Sequence, residues 1–380
     1  MTISAHLFVL LEGAGTADKQ AESATLSDAE SVFTHPTQAK KIRKKVTSVK
    51  RALLIGIDHY LQVPLTGCEK DAQSVAALLS RNGRDSRSRP KNFDVDTLLS
   101  ERDGVITRRV LLDAVKSLFK DPAEVALLYF AGHGVFDFAT ENAVLVAQDG
   151  EDMHSGISLA EISALASKAA RQIKSIVLIL DCCQSGSAAE LPATGLSLLS
   201  TGLTILTSAD RHQEASATKK GGVFTGLLMN ALEGAAADVR GQITPAAVYS
   251  HIDQSLGAWH QRPIYKANVR EFVILREVKP RVDDEILEKL VEWFPNEDHK
   301  LSLDPSFEPD VKPGTEDEYP PEVRSRNQMI FEALQICNRS GLVEPVGEKH
   351  MYYAAMNSQS CRLTFLGKHY RRVAAERFSS

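Results

Sequence analysis

Short, uninterrupted apolar runs recur along the chain, each separated from the next by a stretch of helical periodicity. The runs cover Arg51–Ile57, residues 94–99, 123–131 and 173–181, Leu203–Thr207 and residues 269–275. Runs this short and this continuous fit strands buried on both faces. Between them, Ala72, Val75, Ala76 and Leu79 share one face of a helix predicted over 69–80. Val110, Leu111, Ala114, Val115 and Leu118 do the same behind Thr107, a natural N-cap. Ser158 and Glu161 form a capping box, residues 222–233 read as a helix, and Thr244–Pro245 is a cap followed by a first-turn proline. Strands alternating with helices predict an α/β fold, a mostly parallel sheet with helices on both faces. Ligands of such sheets bind beyond the carboxyl ends of the strands.

Two reactive side chains stand at such ends. The run 123–131 passes into Gly132–His133–Gly134, and the run 173–181 into Cys182–Cys183. A thiol is a weak nucleophile until deprotonated. An adjacent imidazole supplies the base, then returns the proton to a leaving amine. The pair His133 and Cys183 is therefore the candidate catalytic dyad, with the backbone N–H groups of Gly134 and Cys183 as oxyanion donors. The five cysteines (Cys68, Cys182, Cys183, Cys337 and Cys361) have neither zinc-site nor disulfide-framework spacing, and Cys182 is expected in the core. That usage fits a reducing compartment. The apolar run Leu7–Leu11 is too short to span a bilayer and lacks a preceding base, so a cytoplasmic protein with no membrane contact is expected.

Tyr129–Phe130–Ala131–Gly132–His133–Gly134 resembles the strand-to-His-Gly motif of caspase-like cysteine peptidases. Asp181–Cys182–Cys183–Gln184–Ser185–Gly186 resembles their Asp-x-Cys-x-Ser-Gly nucleophile motif and is closest to metacaspases. Leu65–Ala72 looks like the metacaspase segment after the first strand, and Thr207–Asp210 with Gly221–Thr225 is similar to the small-subunit segment. The resemblance spans about residues 51–277, and His133 precedes Cys183 by the roughly 50 residues usual in caspases. It implies a caspase-like fold and a Cys-His endopeptidase. It also implies an acidic S1 pocket for Arg or Lys, the matching positions being Cys68, Asp71, Asp149 and Asp181. A carboxylate cluster suits a guanidinium, which it bonds bidentately. Each acid also has a bland reading, as a helix cap or strand-end turn former, and Asp210 is balanced between turn residue and substrate contact. The chain departs from the family at Gln184, usually His, and at Ala131, often Ser. No residue cluster marks a metal site; some metacaspases need calcium, but no such site is legible, and no cofactor is expected.

The remaining segments divide into an N-terminal arm over 1–50, a peptidase domain over 51–277, a linker over 278–321 with one helix near 284–294, and an interaction domain over 322–380. The arm ends in a basic run, Lys40 to Arg51, whose sharper reading is a self-cleavage site for an acidic pocket; Lys219 and Lys220 are further targets. The interaction domain resembles a winged helix, with a helix over 329–338, a two-stranded wing over 347–364 and a closing helix over 366–377. Arg362, Lys368, Arg371, Arg372 and Arg377 would be its phosphate contacts if it bound nucleic acid. The whole chain carries a formal charge of −5, so no global basicity argues for that partner. The expected partners are protein substrates with a basic residue before the scissile bond, and an activating protein in a stress or antiviral response. The competing reading is a catalytically idle scaffold whose C-terminal domain binds DNA or a protein.

Overall fold

The computed structural model describes residues 49–83, 90–137, 142–149, 155–182, 201–208, 217–218, 221–257, 262–269, 271–309 and 319–378. Cys183, Gln184, Asp210, Lys219, Lys220 and nearly all of the N-terminal arm lie outside them. Strand β1 (Lys50–Gly56) leads to α1 (Cys68–Leu79), β2 (Phe93–Leu99) to α2 (Arg108–Leu118), and β3 (Ala123–Ala131) to a small antiparallel sheet of β4 (Gly134–Asp137), β5 (Asn142–Val146) and β6 (Gly156–Ser158). Helix α3 (Leu159–Ala169), β7 (Ile173–Asp181) and β8 (Leu203–Thr207) follow. The two-residue strands β9 (Ala217–Thr218) and β10 (Gly221–Gly222) pair ahead of α4 (Val223–Asn230). Then come β11 (Gln242–Ile243), α5 (Pro245–Ser255), β12 (Ile264–Asn268) and β13 (Arg276–Glu277).

The main sheet has the order β12-β8-β7-β3-β1-β2, with β12 antiparallel to β8 and the other neighbours parallel. Alternation along each strand splits the apolar residues between two cores. Leu53, Ile55, Leu128, Phe130, Leu178 and Leu180 pack with residues of α2 and α3. Leu54, Leu127, Tyr129, Val177 and Ile179 pack on the other face with residues of α1, α4 and α5. The helices start where the sequence signals put them: Thr107 accepts from the Val110 N–H, Ser158 and Glu161 cap reciprocally, and Thr244 accepts from the Ala247 N–H. From β1 the chain goes to β2 on one side, while β3, β7 and β8 lie on the other, so the topological switch falls between β1 and β3.

The last strand of this sheet is not the apolar run 269–275. It is β12, whose middle and end are largely exposed, as an edge strand allows. Within the apolar run, Val273 and Leu275 enter the second core instead, ahead of the short pairing of β13 with β11.

The C-terminal part comprises α6 (Asp284–Trp293), β14 (Lys300–Ser302), a 3-10 turn at Pro305–Phe307, α7 (Pro321–Arg339), β15 (Val343–Val346), α8 (Met351–Met356), β16 (Ser360–Leu363) and α9 (Phe365–Phe378). The linker expected over 278–321 is in large part structured: Val282, Leu287, Leu290, Phe294, Leu303 and Phe307 are core residues, packed with Phe331, Leu334, Cys337 and Cys361. Apolar side chains spaced between the prolines drive this burial. The two-stranded wing expected over 347–364 is replaced by α8 followed by one strand. That strand, β16, pairs with β15 on one side and β14 on the other. Met351, Ala354 and Ala355 are buried, which makes 351–356 a helix face rather than an alternating strand.

Candidate active site

Strands β3 and β7 are parallel neighbours that end together, Ala131 opposite Asp181. The Gly132 N–H donates to the Asp181 carbonyl at 3.4 Å. His133 and Cys182 thus leave the sheet side by side, and Cys182 is buried in the first core. The His133 N–H donates to Tyr60 Oη at 2.9 Å, and that hydroxyl donates onward to the Val146 carbonyl at 3.2 Å. The two rings lie 4.5 Å apart. A Cβ at position 132 would fall 2.5 Å from Tyr60 Oη, so glycine there is what lets the tyrosine reach the histidine backbone. His133 Nε2 lies 2.7 Å from the Val63 carbonyl. A carbonyl only accepts, so Nε2 carries a proton, and in the neutral tautomer that this bond selects Nδ1 is the unprotonated nitrogen.

Two of the acids expected in a pocket, Asp71 and Asp181, come together, near a third acid, Asp58, not singled out from the sequence. Asp58 caps α1, its carboxylate accepting from the N–H groups of Gly67, Cys68 and Glu69. Gly67 supplies the left-handed turn there, at φ 104°. Asp71, one turn into α1, accepts from the Gly222 N–H at 3.1 Å. Asp181, at the end of β7, accepts from the Thr225 hydroxyl at 2.6 Å. Both carboxylates converge on Gly222, where a Cβ would lie 2.8 Å from one Asp181 oxygen and 3.7 Å from an Asp71 oxygen. Gly222 and Thr225 are the N-cap and third residue of α4, so the acids face the positive end of that helix. Burial nonetheless pushes the Asp181 carboxyl up to about 6, against the Thr225 hydroxyl and with a contribution from the Asp71 charge. Burial raises Asp71 as well. Cys68 lies close enough for Asp71 and Asp181 to act on its thiol, which burial and then the Asp58 charge hold well above the usual range. It is therefore a neutral thiol beside the two acids.

Asp149 is not brought to this pair. It is exposed, and its Oδ1 accepts from the Arg108 N–H at the start of α2, at 3.2 Å. Tyr60 and the Val63 carbonyl are not marked by any sequence signal, and Tyr129, Gly222 and Thr225 enter there only as members of longer motifs. The Val146 N–H bonds the His133 carbonyl at 3.0 Å, so the opposed pair Gly134 and Leu145 is the non-hydrogen-bonded kind, and the Gly134 N–H points away from β5. Among the described residues, no three His, Cys, Asp or Glu side chains cluster as a metal site, and no helix is long and apolar enough to cross a membrane.

Comparison with known proteins adds the following. Residues 49–273 match the family model described as the caspase domain, of peptidase family C14. No curated protein matches the sequence. Among solved structures, a protein of Geobacter sulfurreducens is similar with a TM-score of 0.44 and 17% identity, over 59% of this chain and 94% of that one. Caspase-1 of Spodoptera frugiperda is similar with a TM-score of 0.45 and 11% identity, over 61% of this chain and 91% of that one.

Proposed function

The chain belongs to the caspase-domain family, and from that premise we propose that it is a cysteine endopeptidase cutting proteins after arginine or lysine. The observation that carries the reading is the hydrogen bond from His133 Nε2 to the Val63 carbonyl. It fixes the tautomer in which Nδ1 is free to act as a base, at the end of the strand beside the one that leads to Cys183. In this reading His133 Nδ1 takes the proton of the Cys183 thiol as the sulfur attacks the scissile carbonyl. The N–H groups of Gly134 and Cys183 hold the oxyanion. The imidazolium returns its proton to the leaving amine, and water, deprotonated by the same ring, releases the acyl group. Every proton passes through His133, so no cofactor is invoked.

The paired carboxylates of Asp71 and Asp181, with Cys68 beside them, support a basic residue before the scissile bond. Asp149 is left out of this pocket. The basic side chains that the scaffold reading would turn to phosphates have partners within the chain. Arg362 pairs with Glu344, Lys368 with Asp298, Arg372 with Glu297 and Arg377 with Asp284, while Arg371 bonds the carbonyls of Phe294 and Pro295. Purified protein is to be incubated with fluorogenic peptides ending in Arg, Lys or Asp, beside Cys183→Ala. Cleavage after Arg or Lys that disappears in the variant is expected. Cleavage after Asp alone would remove the pocket and keep the dyad. No cleavage, together with no labelling by an active-site thiol probe, would sink the peptidase reading.

A further inference from the structure

Asp181 is held by a directed chain of hydroxyls. Thr225 Oγ1 lies 2.6 Å from Asp181 Oδ2 and 2.6 Å from Tyr129 Oη. A carboxylate only accepts, so the single threonine proton points to Asp181, and the tyrosine must then donate to the threonine. Tyr129 and Thr225 are both fully buried, and each link of this chain is a direct contact. A helix cap alone needs neither the tyrosine nor the threonine side chain, because backbone N–H groups of α4 already face both acids. Resting on the assignment of Asp71 and Asp181 to the substrate pocket, we propose that Thr225, backed by Tyr129, is a positioning residue for the selection of basic side chains. Its hydroxyl fixes the plane and rotamer of the Asp181 carboxylate, and so the direction in which that carboxylate meets a guanidinium or ammonium.

The chain also sets the pH at which the pocket discharges. The groups that face Asp181 are Asp71 and Cys68 from α1, Tyr129 from β3, Ser208 just beyond β8, and Thr225 itself. Burial and the Asp71 charge raise the Asp181 carboxyl, whereas the threonine hydroxyl stabilises its charged form. Removing the hydroxyl therefore moves the loss of charge to higher pH.

The test uses the full chain and two peptide aldehydes that differ only in ending with argininal or leucinal. Their affinities are measured by calorimetry between about pH 5 and 8, spanning the ordinary working range. The wild type is expected to prefer argininal. Thr225→Val should lower the argininal-to-leucinal ratio roughly ten-fold, the cost of one lost buried hydrogen bond. The midpoint at which argininal affinity falls should move to higher pH, with leucinal unchanged. Thr225→Ser should restore both. Should the valine variant fail to fold, Tyr129→Phe, which removes the donor to Thr225, is expected to lower the ratio in the same direction. A wild-type preference that survives the folded valine variant (or Tyr129→Phe in its place) with the same midpoint would overturn the positioning role and leave the pocket standing. An equal loss of both aldehydes would also overturn it, marking Thr225 as merely structural. A wild type that binds argininal no better than leucinal would overturn pocket and positioning role together.

Discussion

At the scale of single residues, His133 is held by two groups: its N–H donates to Tyr60 Oη, and its ring Nε2 donates to the Val63 carbonyl. Tyr60→Phe removes an acceptor from the His133 N–H and a donor from the buried Val146 carbonyl. The expected result is a lower kcat together with a stability loss of about 1–3 kcal/mol, read by chemical denaturation; an unchanged kcat would mean that the hydroxyl serves the fold alone. Asp181 gives a second residue-scale prediction. Its carboxyl keeps a proton up to about pH 6 in the folded chain, but releases it near the ordinary carboxylate value of about 3.9 when unfolded. Between those values the folded state binds more protons, so the contribution of Asp181 to stability falls as pH rises. Asp181→Asn keeps an oxygen acceptor for Thr225 and removes the ionisation. Its melting temperature relative to wild type should therefore climb from about pH 4 to above 6, and a flat or inverted difference would mean that the carboxyl is ionised without cost.

At the scale of elements, the strands of the sheet's interior were legible because burial on both faces demands continuous apolar runs. The edge strand was not: β12 carries Lys266 and Asn268 on exposed backbone, and a period-based reading passes over it. Helix starts at Thr107, Ser158 and Thr244 were legible because their caps are local. The start of α4 is different. Gly222, its N-cap, offers no side-chain acceptor, and the acids that face it come from α1 and β7, far away in sequence. Such caps across elements are invisible to local pattern. They give Asp71 a structural task, holding α4, beside the pocket role proposed for it. Asp71→Ala is accordingly expected to cost about 1 kcal/mol of stability, in the range of a lost N-cap, and to raise KM for an arginine peptide more than it lowers kcat. Thermal denaturation and steady-state kinetics check both. A stability loss with unaltered KM would leave Asp71 as a cap and nothing else.

At the scale of the whole molecule, the question is whether the C-terminal part behaves as an independent appendage. The described residues beyond 277 share their core with the caspase domain through Val239, which lies just past the end of α4 and its π-helical turn, while Val278 packs into that domain's second core. Polar contacts surround Val239: Arg240 forks onto Asp284 at 2.8 and 2.9 Å, and Tyr370 Oη donates to Asp238 at 3.3 Å. Asp284 is about half exposed, so that ion pair contributes less than about 1 kcal/mol. The apolar junction is the stronger link, since burying one valine side chain is worth about 1.5–3 kcal/mol. This argues for cooperative unfolding of the two parts. Leu290→Ala, at a fully buried position of the C-terminal core, is expected to cost 2–5 kcal/mol, as such truncations typically do. If the junction couples the parts, calorimetry and active-site thiol labelling should report one transition shifted downward by the same amount. Two transitions, with only one displaced and the labelling curve unmoved, would show that the Val239 contact is too weak to link them, and that the peptidase region melts on its own account.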